Sequence, residues 1–137
     1  MKGKLYMKKI KYIIIEILTL LLLTACQQNK NKQKLADILN LKEDNIKNII
    51  VETTLTENKS QVILEKKDYK KFLDKILSYN IIEKENDKAK GWQYAITIET
   101  DENIQLLIMD NRIYVDDKMY ISDNLDKNDL LYLFENR

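Results

Sequence analysis

Histidine and proline are both missing from this chain, and there are only two glycines and one cysteine among its 137 residues. Without histidine, the usual base of Ser-His-Asp sites is gone, and so is any Cys/His zinc site. A single cysteine rules out an internal disulfide. Gly3 and Gly91 stand far apart, so no glycine-rich loop can cradle a phosphate. Of the 23 Lys and Arg, five fall in residues 1–25; of the 22 Asp and Glu, one does. The remainder therefore carries an acidic excess of three, concentrated in residues 91–137. A nucleic-acid binder carries a clear basic surplus, so that class is disfavoured. The abundance of Lys, Asn and Ile follows from an AT-rich genome and reports ancestry rather than activity.

What is present is concentrated first at the N-terminus. Lys2, Lys4, Lys8, Lys9 and Lys11 lead into an almost wholly apolar run, Ile13 to Leu23, which ends in Leu23-Thr24-Ala25-Cys26. This is the three-part layout of a secretory signal. The fourteen residues from Tyr12 to Ala25 fall short of the roughly 20 a spanning helix needs. Glu16 lies inside the run, and a carboxylate at mid-bilayer costs about 2.5 kcal/mol or more. Met7-Lys8-Lys9 also forms a compact alternative start.

The tetrad Leu23-Thr24-Ala25-Cys26 resembles the lipobox of bacterial lipoproteins. That resemblance implies a diacylglyceryl group on the Cys26 thiol, cleavage after Ala25 and acylation of the new N-terminus. The thiol is then unavailable as a nucleophile. Residues 1–25 become the signal peptide, 26–34 a flexible polar tether and 35–137 one domain. Each buried CH2 of a lipid chain contributes about 0.8 kcal/mol, and two or more chains give stable anchorage. The expected location is the cell membrane, lipid-anchored on its extracytoplasmic side.

The domain reads as α+β, mainly antiparallel, in the order β-β-α-β-β-β-β-α. Leu35, Ile38, Leu39 and Leu41 suggest a short helix or turn. Ile46 to Leu55, with Ile49, Val51, Thr53 and Leu55 on one face, pairs with Ser60 to Glu65 as a hairpin. Asp68 is expected to cap a helix whose Tyr69, Phe72, Leu73, Ile76 and Leu77 form one apolar stripe. Glu83 to Lys90 reads as a charged loop. From Trp92, alternating residues place Trp92, Tyr94, Ile96, Ile98 and Thr100 on one side. A loop at Asp101-Glu102-Asn103, with Asn103 left-handed, would pair Thr100 with Ile104. Turns at Asp110-Asn111 and Asp116-Asp117 define a further hairpin that is apolar on both sides. Asp126 then caps a last helix with Asp129 in its first turn, carrying Leu130, Leu131, Leu133 and Phe134.

Few constellations carry chemistry. Asp116, Asp117, Asp123, Asp126 and Asp129 lack the spacing and the glycine of an EF-hand loop, and turn or cap duty explains them. Glu99, on the less apolar strand face, is the candidate for a paired-carboxylate site, and a solvated strand residue is the simpler account. No catalytic residue, metal ligand or cofactor is assigned. Lys66, Lys67, Lys70 and Lys71 could touch lipid headgroups or form a solvated face. Trp92, Tyr94, Tyr114 and Tyr120 are the candidate partner contacts, with core packing as the competing account. The run Gly91-Trp92-Gln93-Tyr94 with its alternating strand is similar to small lipoprotein domains of unknown function in AT-rich Gram-positive bacteria. The reading is a non-enzymatic binding or protein-interaction module, held by membrane lipid and engaging an envelope protein or small ligand. The alternatives are a carboxylate hydrolase of the envelope and a structural accessory subunit.

One expectation follows from the leader alone. Cys26→Ala should abolish lipid attachment and processing after residue 25, seen as an unacylated, uncleaved chain by mass spectrometry of membrane-derived protein. An unmodified Cys26 in the native protein would sink the lipobox reading.

Overall fold

The computed structural model describes residues 2–28, 32–57 and 60–135. Two compact units emerge, residues 1–31 and 32–137. The first is a single helix, α1 (Lys2–Gln28). Every side chain described in it, from Gly3 to Leu20, is exposed, including Leu5, Ile10, Ile13, Ile14, Ile15 and Leu18. Among the described residues no helix is long and apolar enough to cross a membrane. The side chains of Leu23, Thr24, Ala25 and Cys26 lie outside the described residues.

The second unit is α+β. Among the described residues, eight strands form one antiparallel sheet. They are β1 (Gln33–Lys34), β2 (Asn48–Thr53), β3 (Gln61–Ile63), β4 (Asn80–Lys84), β5 (Tyr94–Glu99), β6 (Asn103–Met109), β7 (Arg112–Val115) and β8 (Lys118–Ser122). Their spatial order is β1-β4-β8-β7-β6-β5-β2-β3, so β5 to β8 make a meander with the β2–β3 hairpin on one flank. The helices are α2 (Leu35–Leu39) and α3 (Lys66–Leu77), and a short 3-10 turn, Leu131–Leu133, lies near the C-terminus.

Strand alternation sorts the sheet into two faces. One face carries Ile49, Val51, Tyr94, Ile96, Ile98, Leu106, Ile108 and Ile113, all essentially inaccessible. Onto it pack Leu35 of α2, Phe72 and Ile76 of α3, and Leu130, Leu133 and Phe134 of the C-terminal segment. α3 joins β3 near one edge to β4 near the other, so the connection itself carries the helix over this face.

Several sequence expectations need correction. Gln33 and Lys34 are not tether: they pair with Ile81 and Asn80, and the compact unit begins at Lys32. Asp68 is not the cap of α3. The helix starts a turn earlier with Glu65 at the cap position, and Asp68 donates its backbone N–H to Glu65 O (2.9 Å). It still sits in the first turn, where its charge favours the dipole. The charged segment after Tyr79 begins with β4, which pairs with β8. The β5–β6 loop is Thr100-Asp101-Glu102, since Glu99 pairs with Asn103 and Ile98 with Ile104. This register is two residues from the expected one, and an even slip keeps every side chain on its face. Asn103 is an ordinary strand residue; the left-handed positions are Asn40, Lys88, Asp110 and Asp116. Leu55 is exposed because β2 ends at Thr53, whose Oγ1 accepts the Leu55 N–H at 3.2 Å and bends the chain away. The last helix is reduced to turns and the 3-10 segment.

The stripe of α3 is as expected, with Tyr69, Phe72, Leu73 and Ile76 buried. Phe72→Ala should cost about 3–5 kcal/mol, while Lys66→Ala on the exposed side should stay within about 0.5 kcal/mol. Thermal melts of the two variants check this, and equal small shifts would mean the helix faces elsewhere.

Candidate functional site

The second face of the sheet has no helix on it. Register places Lys84, Met119, Tyr114, Leu107, Ala95 and Glu52 in one row across it, from β4 to β2. Neighbouring rows add Ile82, Ile121, Arg112 and Met109 on one side, and Gln105, Thr97, Ile50 and Ile63 on the other. Ile82, Ile50, Leu107, Met109, Tyr114 and Ile121 are half-buried, and Ile63 is 61 % exposed.

One segment crosses this face. Residues 85–91 leave β4 beside the β7–β8 turn and return near the β6–β7 turn, so they run diagonally over β7 as a strap. Asn86 Nδ2 donates to Asp117 O at 2.9 Å. Asp87 accepts the Tyr114 hydroxyl at 2.8 Å and lies 3.4 Å from Arg112 Nε. Its carboxyl is held below the usual range by the Ala89 N–H, then by Tyr114, with Arg112 adding its charge. Met119 belongs to this face yet is 4 % exposed, which the strap accounts for. Lys88 and Gly91, both at positive φ, give the strap its bends. Among the described residues no further segment crosses the half of the face on β6, β5, β2 and β3, its bare half, where Ala95 is buried between its neighbours and Ile50, Thr97, Leu107 and Met109 are half-buried.

The four aromatic candidates fall into different places. Tyr94 (1 % exposed) and Tyr120 (5 %) are core residues, and neither offers contact area. Burial, with Asp129 and Asp126 nearby, pushes the Tyr94 phenol up to about 12, and its hydroxyl donates to Lys127 O at 2.5 Å. Trp92 is half-buried at the start of β5, where its carbonyl accepts the Thr54 hydroxyl at 3.0 Å. Tyr114 is half-buried and is the strap's anchor. Alternation on a two-sided apolar hairpin could not say which side the helices would take. The informative signal was Ile50, Ile63, Leu107 and Met109 standing at positions that alternation assigns to solvent.

The acids are engaged in turns and ties. Asp126 Oδ1 accepts the Asn128 N–H at 2.7 Å, and the Asp126 N–H is returned to Asp129 Oδ2 at 3.1 Å. A capping role for Asp126 was expected, though on a helix that is here a run of turns. The reach of Asp129 was not: it also accepts the Tyr79 hydroxyl at 3.0 Å and pairs with Lys75 at 3.0 Å. It thereby ties the C-terminal segment to α3 and to the start of β4. Burial pushes its pKa up, but the Asp126 N–H, Lys75 and Tyr79 outweigh that and hold it below the usual value. Glu99 accepts from Asn48 Nδ2 at 2.7 Å. Among the described residues no three His, Cys, Asp or Glu come together as metal ligands would. The lysines of α3 are partly taken up locally: Lys67 by Glu65, Lys70 by Asp74, and Lys71 over the Tyr132 ring at 4.4 Å.

Comparison with known proteins finds no matching family model, no matching curated sequence and no matching solved structure. The site is therefore argued from its own geometry.

Asp129 makes a pH prediction. Its folded pKa lies below the unfolded value of about 3.9, so its ties stabilise the fold above that pH and are lost as pH falls through the folded value. Asp129→Asn should be less stable at pH 7, and its penalty should shrink towards pH 2. Denaturant melts across that range decide it, and a penalty independent of pH would refute the assignment.

Proposed function

We propose that this chain is a lipid-anchored, extracytoplasmic, non-enzymatic interaction module that binds its partner through the bare half of the open sheet face. The observation that carries the reading is a set of apolar side chains spread over three adjacent rows with no helix on them: Ile50, Leu107 and Met109, with Ile63 at 61 % exposure. Monomeric proteins seldom leave a large contiguous apolar patch, and such patches commonly mark interaction sites. Two further features support it. The described side chains of α1 are apolar in large part and all exposed, as in a segment meant for a membrane or an export channel. The edges of the sheet are blunted, since β1 has two residues and β3 has three. Short edge strands discourage edge pairing and leave the face as the place for contact.

Anchoring at Cys26 restricts where that face works. Five residues lie between Cys26 and Lys32, a reach of at most about 22 Å. The start of the compact unit, at the β1–β4 edge, then stays within that reach of the membrane surface. Every ionisable group near the open face is engaged by a neighbour or solvated, and none is poised as an acid–base pair, which supports binding over catalysis.

A photo-crosslinking residue tests the surface. Placed at Thr97, in the middle of the bare half, it should give a defined adduct on intact membranes. Placed at Lys66 on α3, it should give little. Equal adducts from both positions would remove the face from consideration.

A further inference from the structure

The open face is asymmetric in charge as well as in height. Its strap-covered half carries Lys84, Lys88, Lys90 and Arg112 against Glu85 and Asp87, the latter paired with Arg112, so basic groups outnumber acidic ones there. Its bare half carries Glu52 and Glu99, and β2, β3, β5 and β6 contain no Lys or Arg at all. Among the described residues neither Glu52 nor Lys84 has an ion-pair partner within the chain. One row therefore reads basic at β4, apolar through β8, β7, β6 and β5, and acidic at β2.

We propose that the occupant of the bare half is a second copy of this chain, docked face to face about a dyad parallel to the strands and lying between β6 and β7. This rests on the reading of the open face as the contact surface and names its partner. Such a dyad exchanges β4 with β2, β8 with β5 and β7 with β6. Lys84 of each copy comes over Glu52 of the other, and Leu107 lies at the centre of the contact. The raised strap of one copy enters the bare half of the other. Stacked sheets stand about 10 Å apart, and that space is filled by side chains and the strap. A two-fold contact must be self-complementary, each patch meeting its own opposite, and a row running from basic to acidic meets that condition. The dyad also leaves both chain starts at Lys32 at the same level, so two copies anchored in one membrane can form it. Confinement to the membrane raises their effective concentration.

The test is a charge swap on the lipidated full-length protein in detergent micelles, with mass read by sedimentation. The native protein should be dimeric. Lys84→Glu alone and Glu52→Lys alone should each weaken dimerisation roughly tenfold or more, since each places two like-charge contacts in the dimer. Mixing the two variants should restore it, because both contacts then become attractive again. Native protein that stays monomeric, or a mixture no better than either variant alone, overturns the second-copy assignment. A monomeric native protein that still gives a Thr97 adduct with a different protein overturns this inference while leaving the proposed function standing. Absence of both the dimer and any Thr97 adduct removes both.

Discussion

Burial of one face of the sheet under α3, α2 and the C-terminal segment is the contact on which everything else in the second unit depends. Phe72, Ile76, Leu35 and Leu133 are all inaccessible against Ile49, Ile96, Ile98 and Leu106. An antiparallel sheet needs only one face covered to be stable, and the other can meet water. This chain has spent its helices on the first face and has only a short strap for the second. The strap is polar and exposed, held by Asp87 and Asn86 rather than by apolar packing. The open face is thus a consequence of chain economy in a small domain. Its apolar side chains are the part that this economy does not explain.

The Asp129 cluster shows how the covered face is closed at its margin. A C-terminal segment of turns and 3-10 structure has few backbone hydrogen bonds to hold it in place. Leu130, Leu133 and Phe134 supply the apolar contact, and Asp129 supplies direction by accepting from Asp126, Tyr79 and Lys75 together. Tyr79 is buried, so its hydroxyl needs a partner, and the carboxylate meets that need while raising the phenol's pKa further. One side chain therefore joins the C-terminal segment to the end of α3 and the start of β4, 50 residues away in sequence.

Much of the fold was legible because the period-2 and helical patterns were strong where they mattered. Tyr94 to Glu99 alternates well enough to set its faces, and the stripe of α3 is complete. What escaped notice had weak local signals. β1 is two residues long and pairs only because α2 and β4 bring it to the edge. β4 offers two apolar residues before the charged run begins, and pairing with β8 outweighs that composition. The register of β5 against β6 was missed by two residues because an even slip leaves every face unchanged, so hydrophobicity cannot detect it. For the site, Tyr114 lies on the open face while Tyr94 and Tyr120 lie on the covered one, and which face the helices cover decides this; Trp92 shares the parity of Tyr94 but stands ahead of β5 and is half-buried. That choice depends on α3 linking β3 to β4, a non-local fact with no signature in any short window.

The same topology sets the form of the open face. Because α3 takes the route from β3 to β4 over one face, the return from β4 to β5 must go over or around the other, and the strap takes the face. It lands on β7, where Tyr114 and Arg112 offer a donor and a charge to Asp87. The lysines of the strap are thereby fixed on the β4 side, away from Glu52 and Glu99. Polarity across the face is thus built into the connection order and does not depend on any single surface residue. A partner with uniform charge would match half of such a face and be repelled by the other. A surface that is its own opposite under a two-fold rotation matches both halves.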